Sequence, residues 1–207
     1  MENDLKVHLK QFYDQEAAYR DRNTIRPDWK ARVRQEVLDQ AKAEGKETLL
    51  ELGAGAGYDS QFFQLGGLRV TAVDLSGEMT ARCREKGVEA YEMDFCQLSS
   101  LGRTFDCVYT LNALLHVPAE DLRQVLAEID AVLNPDGLVY IGVYSGEDQV
   151  RWWVKEEISS APRFFMFYAA DTLRTVLEEF FEVLRFETYP VGEADDLFHS
   201  ILLRKRA

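Results

Sequence analysis

Three alternate glycines, Gly53, Gly55 and Gly57, separate an apolar stretch at 48–52 from a segment starting near Tyr58, and Asp74 closes the next apolar stretch 21 residues after Gly53. A sharp strand-to-helix turn needs residues without a Cβ, because only they take unusual φ values and let a ligand approach the backbone. The amides that open the following helix point outward at the positive end of its macrodipole and favour a carboxylate or phosphate. An acid about 20 residues further on, at the end of the second strand, is placed to accept from ribose hydroxyls. Together they describe a nucleotide-type cofactor site.

The spacing is not that of the dinucleotide fingerprint. G-x-G-x-x-G counted from Gly53 requires glycine where Tyr58 stands, and counted from Gly55 it requires glycine where Ser60 stands. What remains is E-x-G-x-G-x-G, with Glu51 inside the strand end. A carboxylate in a buried strand needs a partner, so Glu51 is an awkward core residue. A glycine turn alone also fits other α/β proteins, and its meaning depends on context.

That context is a series of segments in order: Val73-Asp-Leu-Ser-Gly-Glu-Met79, Met93-Asp-Phe95, Phe105-Asp-Cys-Val-Tyr109 and Leu133-Asn-Pro-Asp-Gly-Leu-Val139. With them, roughly residues 48 to 143 resemble the class I S-adenosylmethionine (SAM)-dependent methyltransferases, in a small bacterial-type domain. The resemblance implies a Rossmann-like, doubly wound α/β sheet of seven strands, mostly parallel with an antiparallel C-terminal strand, preceded by N-terminal helices. It implies SAM as cofactor and S-adenosyl-L-homocysteine as its product.

The same resemblance distributes roles. Gly53, Ala54, Gly55 and Gly57 form the cofactor turn, and Glu51 orients the methionine end of SAM. Asp74 takes the ribose hydroxyls, with Leu75 and Met79 beside the adenine or ribose; the alternative for Asp74 is a cap next to Ser76, and for Met79 a core filler. Asp94 accepts from the adenine amino group with the Phe95 backbone beside it, although acids at strand ends also serve turns. Leu111 and Asn112 occupy the motif where backbone carbonyls face the SAM amino group. Asp106 lies inside that strand and suits a structural role equally.

His116, in Leu114-Leu-His-Val-Pro118, is the candidate general base, since its ordinary pKa lets it take a proton near neutrality. A histidine there also suits packing or capping. Tyr13 and Tyr19, with Arg20, belong to an N-terminal helix that in many relatives closes over the cofactor; the alternative is the edge of an amphipathic stripe.

The elements that must position these residues follow from periodicity. Leu5, Leu9 and Phe12, then Trp29, Val33, Val37 and Ala41, recur at helical spacing, joined by the polar link 20–27, with Pro27 placed to start the second helix. From residue 47 strands near 48–52, 69–73, 88–92, 105–110 and 137–143 alternate with helices near 57–65, 77–86 and 119–132. Such alternation implies a parallel sheet with right-handed crossovers, and ligands then sit beyond the carboxyl ends of its strands. Asn134-Pro-Asp-Gly137 is a turn signal. Residues 144–168 carry Trp152, Trp153, Phe164, Phe165, Phe167 and Tyr168 and are expected as an aromatic lid and substrate wall with Arg163, or as a segment that buries its own aromatics. A helix near 170–180 and strands near 182–189 and 197–204 follow.

The organisation expected is one methyltransferase domain over 1–207: a helical cap at 1–46, the SAM-binding core at 47–143, the lid at 144–168, and a C-terminal helix and strand pair at 169–207. A chain of 207 residues suits one such core. No apolar run approaches a membrane span and no signal-peptide core opens the chain, so the expected compartment is cytoplasmic. Cys83, Cys96 and Cys107, like the scattered His8, His116 and His199, have no metal-ligand spacing, so no metal is expected. The formal charge of −12 opposes attraction to phosphate backbones, and the N-P-P-Y motif of amino-group nucleic-acid methylases is missing. A small-molecule methyl acceptor with an O, N or S nucleophile is therefore expected, on a monomer or homodimer. Two other readings use the same residues: a SAM-binding sensor or accessory subunit without turnover, and an NAD-linked oxidoreductase, which Asp74 favours and Tyr58 opposes.

Overall fold

Every apolar run that precedes the glycine turn or its acid becomes a strand with its interior positions buried. The computed structural model describes residues 2–23, 27–155, 159–191 and 196–206. In chain order it has α1 (Glu2–Arg22), α2 (Asp28–Ala43), β1 (Thr48–Leu52), α3 (Tyr58–Leu65), β2 (Arg69–Asp74), α4 (Gly77–Glu85) and β3 (Glu89–Glu92). There follow a 3-10 turn (Phe95–Leu101), β4 (Phe105–Leu111), a second 3-10 turn (Leu114–His116), α5 (Ala119–Ala131) and β5 (Leu133–Tyr144). The chain ends with β6 (Gln149–Lys155), β7 (Ser159–Phe167), α6 (Ala170–Leu177), β8 (Phe181–Val191) and β9 (Asp196–Lys205). Seven strands belong to one mixed sheet, while β6 and β7 make a separate pair.

Two compact units divide the chain, Met1–Asp94 with Trp152–Phe164, and Phe95–Arg151 with Phe165–Ala207. In the first, β1 pairs in parallel with β2, Leu50 opposite Thr71, and β2 pairs in parallel with β3, Asp74 opposite Glu92. Leu49, Leu50, Glu51 and Leu52 are all buried, as both faces of a covered parallel strand must be. Helix α4 is capped by Ser76, whose hydroxyl accepts from the Met79 amide at 3.1 Å.

In the second unit β4 pairs in parallel with β5, and β9 runs antiparallel to both β5 and β8. The fold is thus the expected mostly parallel, Rossmann-like α/β sheet with its C-terminal strand reversed. Helix α5 buries Leu122, Val125, Leu126 and Ile129, an i, i+3, i+4, i+7 stripe. The turn signal at 134–137 falls within the span of β5, where Phe105 pairs with Leu133 but Cys107 with Leu138, so the extra β5 residues bulge out. Asp136 takes φ +60 in that bulge, and the Asn134 amide donates to Asp106 at 2.7 Å. Asp106 therefore has a structural partner.

Strands β6 and β7 lie in the aromatic stretch and were not marked by the sequence pattern. Adjacent Trp152 and Trp153 put an aromatic residue on each parity of the strand, which erases the period-2 signal. Phe164 is buried, with the Trp152 ring edge-on at 5.4 Å, yet Trp152 and Trp153 remain 56% and 63% exposed. The stretch does not bury all of its own aromatics. Residues 24–26 of the polar link lie outside the described residues.

Candidate functional site

The turn after β1 is built from left-handed glycines: φ is +71 at Gly53, +54 at Gly55 and +80 at Gly57. The amides of Gly53 and Ala54 donate to the Val73 carbonyl at 2.8 and 3.2 Å, which ties the turn to the end of β2. A side chain at Gly55 would meet nothing within 4 Å, so this glycine faces open space. Gly57 is different. A Cβ there would stand 2.9 Å from Cys83 Sγ and 3.1 Å from Cys83 Cα, because α4 lies directly against the turn.

Asp74 is half-buried at the end of β2, and both carboxylate oxygens are engaged by backbone: Gly55 N–H donates to Oδ2 and Ser76 N–H to Oδ1, each at 2.9 Å. Each oxygen retains a second lone pair for a ligand donor. Burial raises the Asp74 pKa above the ordinary carboxylate value, while the Ser76 and Gly55 amides and the charge of Arg20 oppose that rise. The cap of α4 is Ser76, not Asp74.

Glu51 is buried in β1 and accepts from the Ser60 hydroxyl, so the strand carboxylate has a partner in α3. Met79 is buried in a cluster with Ala17 and Ala56, against which Tyr13 and Tyr58 pack. That arrangement sets a residue of the glycine turn, Ala56, against α1 and α4. Leu75 is half-buried beside Asp74. Tyr13 lies under the Arg20 guanidinium, 5.0 Å from its ring centroid, and burial pushes its phenol pKa upward. Tyr19 is 48% exposed, its hydroxyl 3.4 Å from the Asn23 amide.

Polar contacts fasten α1 along this unit. Lys6 pairs with Asp94 at 2.7 Å, Lys10 with Glu92 at 2.5 Å, Asp14 with the Ser76 hydroxyl at 2.5 Å, and Asp21 with Lys86 at 2.5 Å. The Lys86 ammonium holds the Asp21 carboxyl below its ordinary range. Asp94, expected to face an adenine amino group, thus carries a cation from α1. Cys83 and Lys6 carry no local sequence signal for these contacts, since their partners Gly57 and Asp94 are distant in the chain.

In the second unit Leu111 ends β4 half-buried, and Asn112 follows with φ +56, its amide donating to the Gly142 carbonyl at 2.7 Å. Phe95 opens the first 3-10 turn, half-buried. His116 closes the second and is half-buried, its ring centroid 4.9 Å from that of Phe165.

Residues 49–137 match the family described as methyltransferase domain, a span that contains the glycine turn, Asp74, Asp94, Asn112 and His116. Over that span the chain is similar to methyltransferase domains. It shares 32% identity over 128 residues with a glycine/sarcosine/dimethylglycine N-methyltransferase of Actinopolyspora halophila, an alignment covering 55% of this chain and 22% of that protein. With a malonyl-[acyl-carrier protein] O-methyltransferase of Hamiltonella defensa it shares 34% over 96 residues, 45% of this chain and 36% of the relative. These alignments thus span well under two thirds of either relative. Among solved structures, the 1,6-didemethyltoxoflavin-N1-methyltransferase of Burkholderia thailandensis is similar in fold, with a TM-score of 0.75 at 22% identity over 99% of this chain and 90% of that one. That methyltransferase was crystallised with S-adenosylhomocysteine and 1,6-didemethyltoxoflavin.

Proposed function

We propose that this chain is a SAM-dependent methyltransferase acting on a small-molecule O, N or S nucleophile by in-line displacement. The observation that carries the reading is Asp74, fixed by the Gly55 and Ser76 amides at the end of β2 with one lone pair left on each oxygen. The donor set fits the cofactor: a charged acceptor for vicinal hydroxyls, a left-handed turn whose Gly55 faces open space, and a partnered acid in β1. When bound, SAM supplies a methyl group on a sulfonium that leaves as a neutral thioether, so no covalent intermediate with the protein is needed.

The chain's own residues then bind and orient. In the first unit the Gly53, Ala54, Gly55 and Gly57 turn holds the cofactor, Asp74 anchors its ribose, and Glu51 directs its methionine end. Leu75 and Met79 pack beside the nucleoside, Asp94 accepts from the adenine amino group once Lys6 yields, and Tyr13 and Tyr19 cover from α1. In the second unit Phe95, Leu111 and Asn112 present backbone groups, and His116 takes a proton when the nucleophile arrives protonated. Holding the reacting atoms in line contributes about 7–11 kcal/mol to such reactions.

The whole chain acts as one methyltransferase domain, with 1–46 as cap, 47–143 as core, 144–168 as lid and 169–207 completing the sheet. Among the described residues no helix is long and apolar enough to cross a membrane; the working compartment proposed is the cytoplasm, and the working state a monomer or homodimer. Incubation with methyl-labelled SAM and a metabolite extract tests the reading. Protein-dependent label transfer to a small molecule is expected; SAM binding without any transfer would instead identify a sensor.

A further inference from the structure

Within the first unit, α1 sets a cation on an acid at the carboxyl edge of the sheet. Lys6 Nζ stands 2.7 Å from Asp94 Oδ2, and the two side chains are 28% and 24% exposed, so solvent and solutes still reach both. Leu5 and Leu9, next to Lys6 and one turn on, are buried. The turn that carries the ammonium is thus held in place by apolar contacts as well as by the ion pair. One turn further along α1, Lys10 pairs with Glu92.

Asp94 follows the end of β3 directly. Asp74 is opposite Glu92 in the sheet, and the Met93 amide donates to the Asp74 carbonyl at 2.9 Å. Neighbouring strands lie about 4.8 Å apart and each residue advances a strand by about 3.3 Å, so Asp94 stands one strand over and a step beyond Asp74. Ligands of open α/β sheets lie beyond these strand ends. A nucleoside held at Asp74 by its ribose can therefore extend its base towards Asp94.

The exocyclic amine of adenine is a neutral N–H donor, and Lys6 presents a charged one to the same carboxylate. A contact between two ions is the stronger, and a carboxylate whose charge is met by a cation attracts a second donor less. We propose that Lys6 is a built-in competitor for the adenine amino group at Asp94, so that α1 holds cofactor affinity down through one ion pair. This role rests on the methyl-transfer reading above, which supplies the cofactor. Salt weakens an ion pair between partly exposed groups. Ionic strength therefore sets how much affinity Lys6 withholds.

S-adenosylhomocysteine and its analogue with hydrogen in place of the adenine amino group differ in one donor, so the ratio of their affinities isolates it. Both are titrated by calorimetry at about 0.01 and about 1 M salt, where the screening length is about 30 and about 3 Å. Wild type should prefer S-adenosylhomocysteine, and the preference should grow about threefold at high salt, the scale of one partly exposed ion pair. Lys6→Met should show that larger preference already at low salt and lose its salt dependence. Lys6→Arg keeps the cation and should behave as wild type. Lys10→Met removes the neighbouring ion pair without touching Asp94 and should do so too. Equal affinity of wild type for the two probes, a wild-type preference that does not grow with salt, or an unchanged or smaller preference in Lys6→Met overturns the proposal. So does the same gain in Lys10→Met, or an equal gain for both probes in Lys6→Met, since either marks a general loosening of α1. Failure of wild type to bind S-adenosylhomocysteine would overturn the methyl-transfer reading itself.

Discussion

The amide of Gly55 donates to Oδ2 of Asp74 at 2.9 Å, joining the turn after β1 to the acid that ends β2. The other side of Gly55 is held as well, because the Cys83 thiol donates to its carbonyl at 3.2 Å. A glycine at φ +54 is thus pinned by two side chains, one charged and one apolar in character. Two predictions follow from the contrast between Gly55 and its neighbour Gly57.

Gly57→Ala should destabilise the fold by about 2–3 kcal/mol, since the new methyl meets Cys83 Sγ at 2.9 Å and φ is +80. Gly55→Ala meets nothing within 4 Å and should cost only about 1 kcal/mol of backbone strain. Urea unfolding of a cycle with Cys83→Ala isolates the contact: Gly57→Ala should cost about 1 kcal/mol less in the Cys83→Ala background. Strict additivity would show that α4 yields to the methyl group.

The Cys83 thiol is fully buried and its pKa is pushed up to about 12, mainly by burial and then by the charges of Glu51 and Asp74. Below the ordinary thiol pKa both folded and unfolded chains hold this proton. Above it the unfolded chain loses the proton while the folded chain keeps it, so stability falls as pH rises towards about 12. Cys83→Ala should flatten the alkaline loss by up to about 1.4 kcal/mol per pH unit, read by urea unfolding at a series of pH values. An unchanged slope would mean that Cys83 does not carry this titration.

Local pattern was enough for the strands near 48–52 and 105–110, the glycine turn and the acid 21 residues after Gly53, because each depends on spacing within a few turns of chain. It could not report what reaches those residues from far away. Cys83 against Gly57, Lys6 on Asp94 and Asp14 on Ser76 join segments that only packing brings together. That the Asn112 side-chain oxygen is buried without a hydrogen-bond partner is equally invisible, since asparagine after a strand looks like any turn residue. In the aromatic stretch adjacent aromatics on both strand parities, Trp152 with Trp153 and Phe164 with Phe165, hid β6 and β7.

His116 should separate turnover from binding. His116→Ala is expected to lower methyl transfer by about 10²–10⁴-fold for an acceptor that arrives protonated, with S-adenosylhomocysteine affinity unchanged. The loss should grow smaller as pH rises, because the acceptor then arrives deprotonated. Normal turnover at neutral pH would reduce the ring to its packing role beside Phe165.

Cofactor binding at Asp74 decides between a SAM site and a dinucleotide site. By titration calorimetry wild type should bind SAM and S-adenosylhomocysteine but not NAD, and Asp74→Ala should weaken both by about 1.5–3 kcal/mol, the scale of hydrogen bonds to a charged acceptor. Binding of NAD without SAM, or SAM affinity unchanged in Asp74→Ala, would contradict the account.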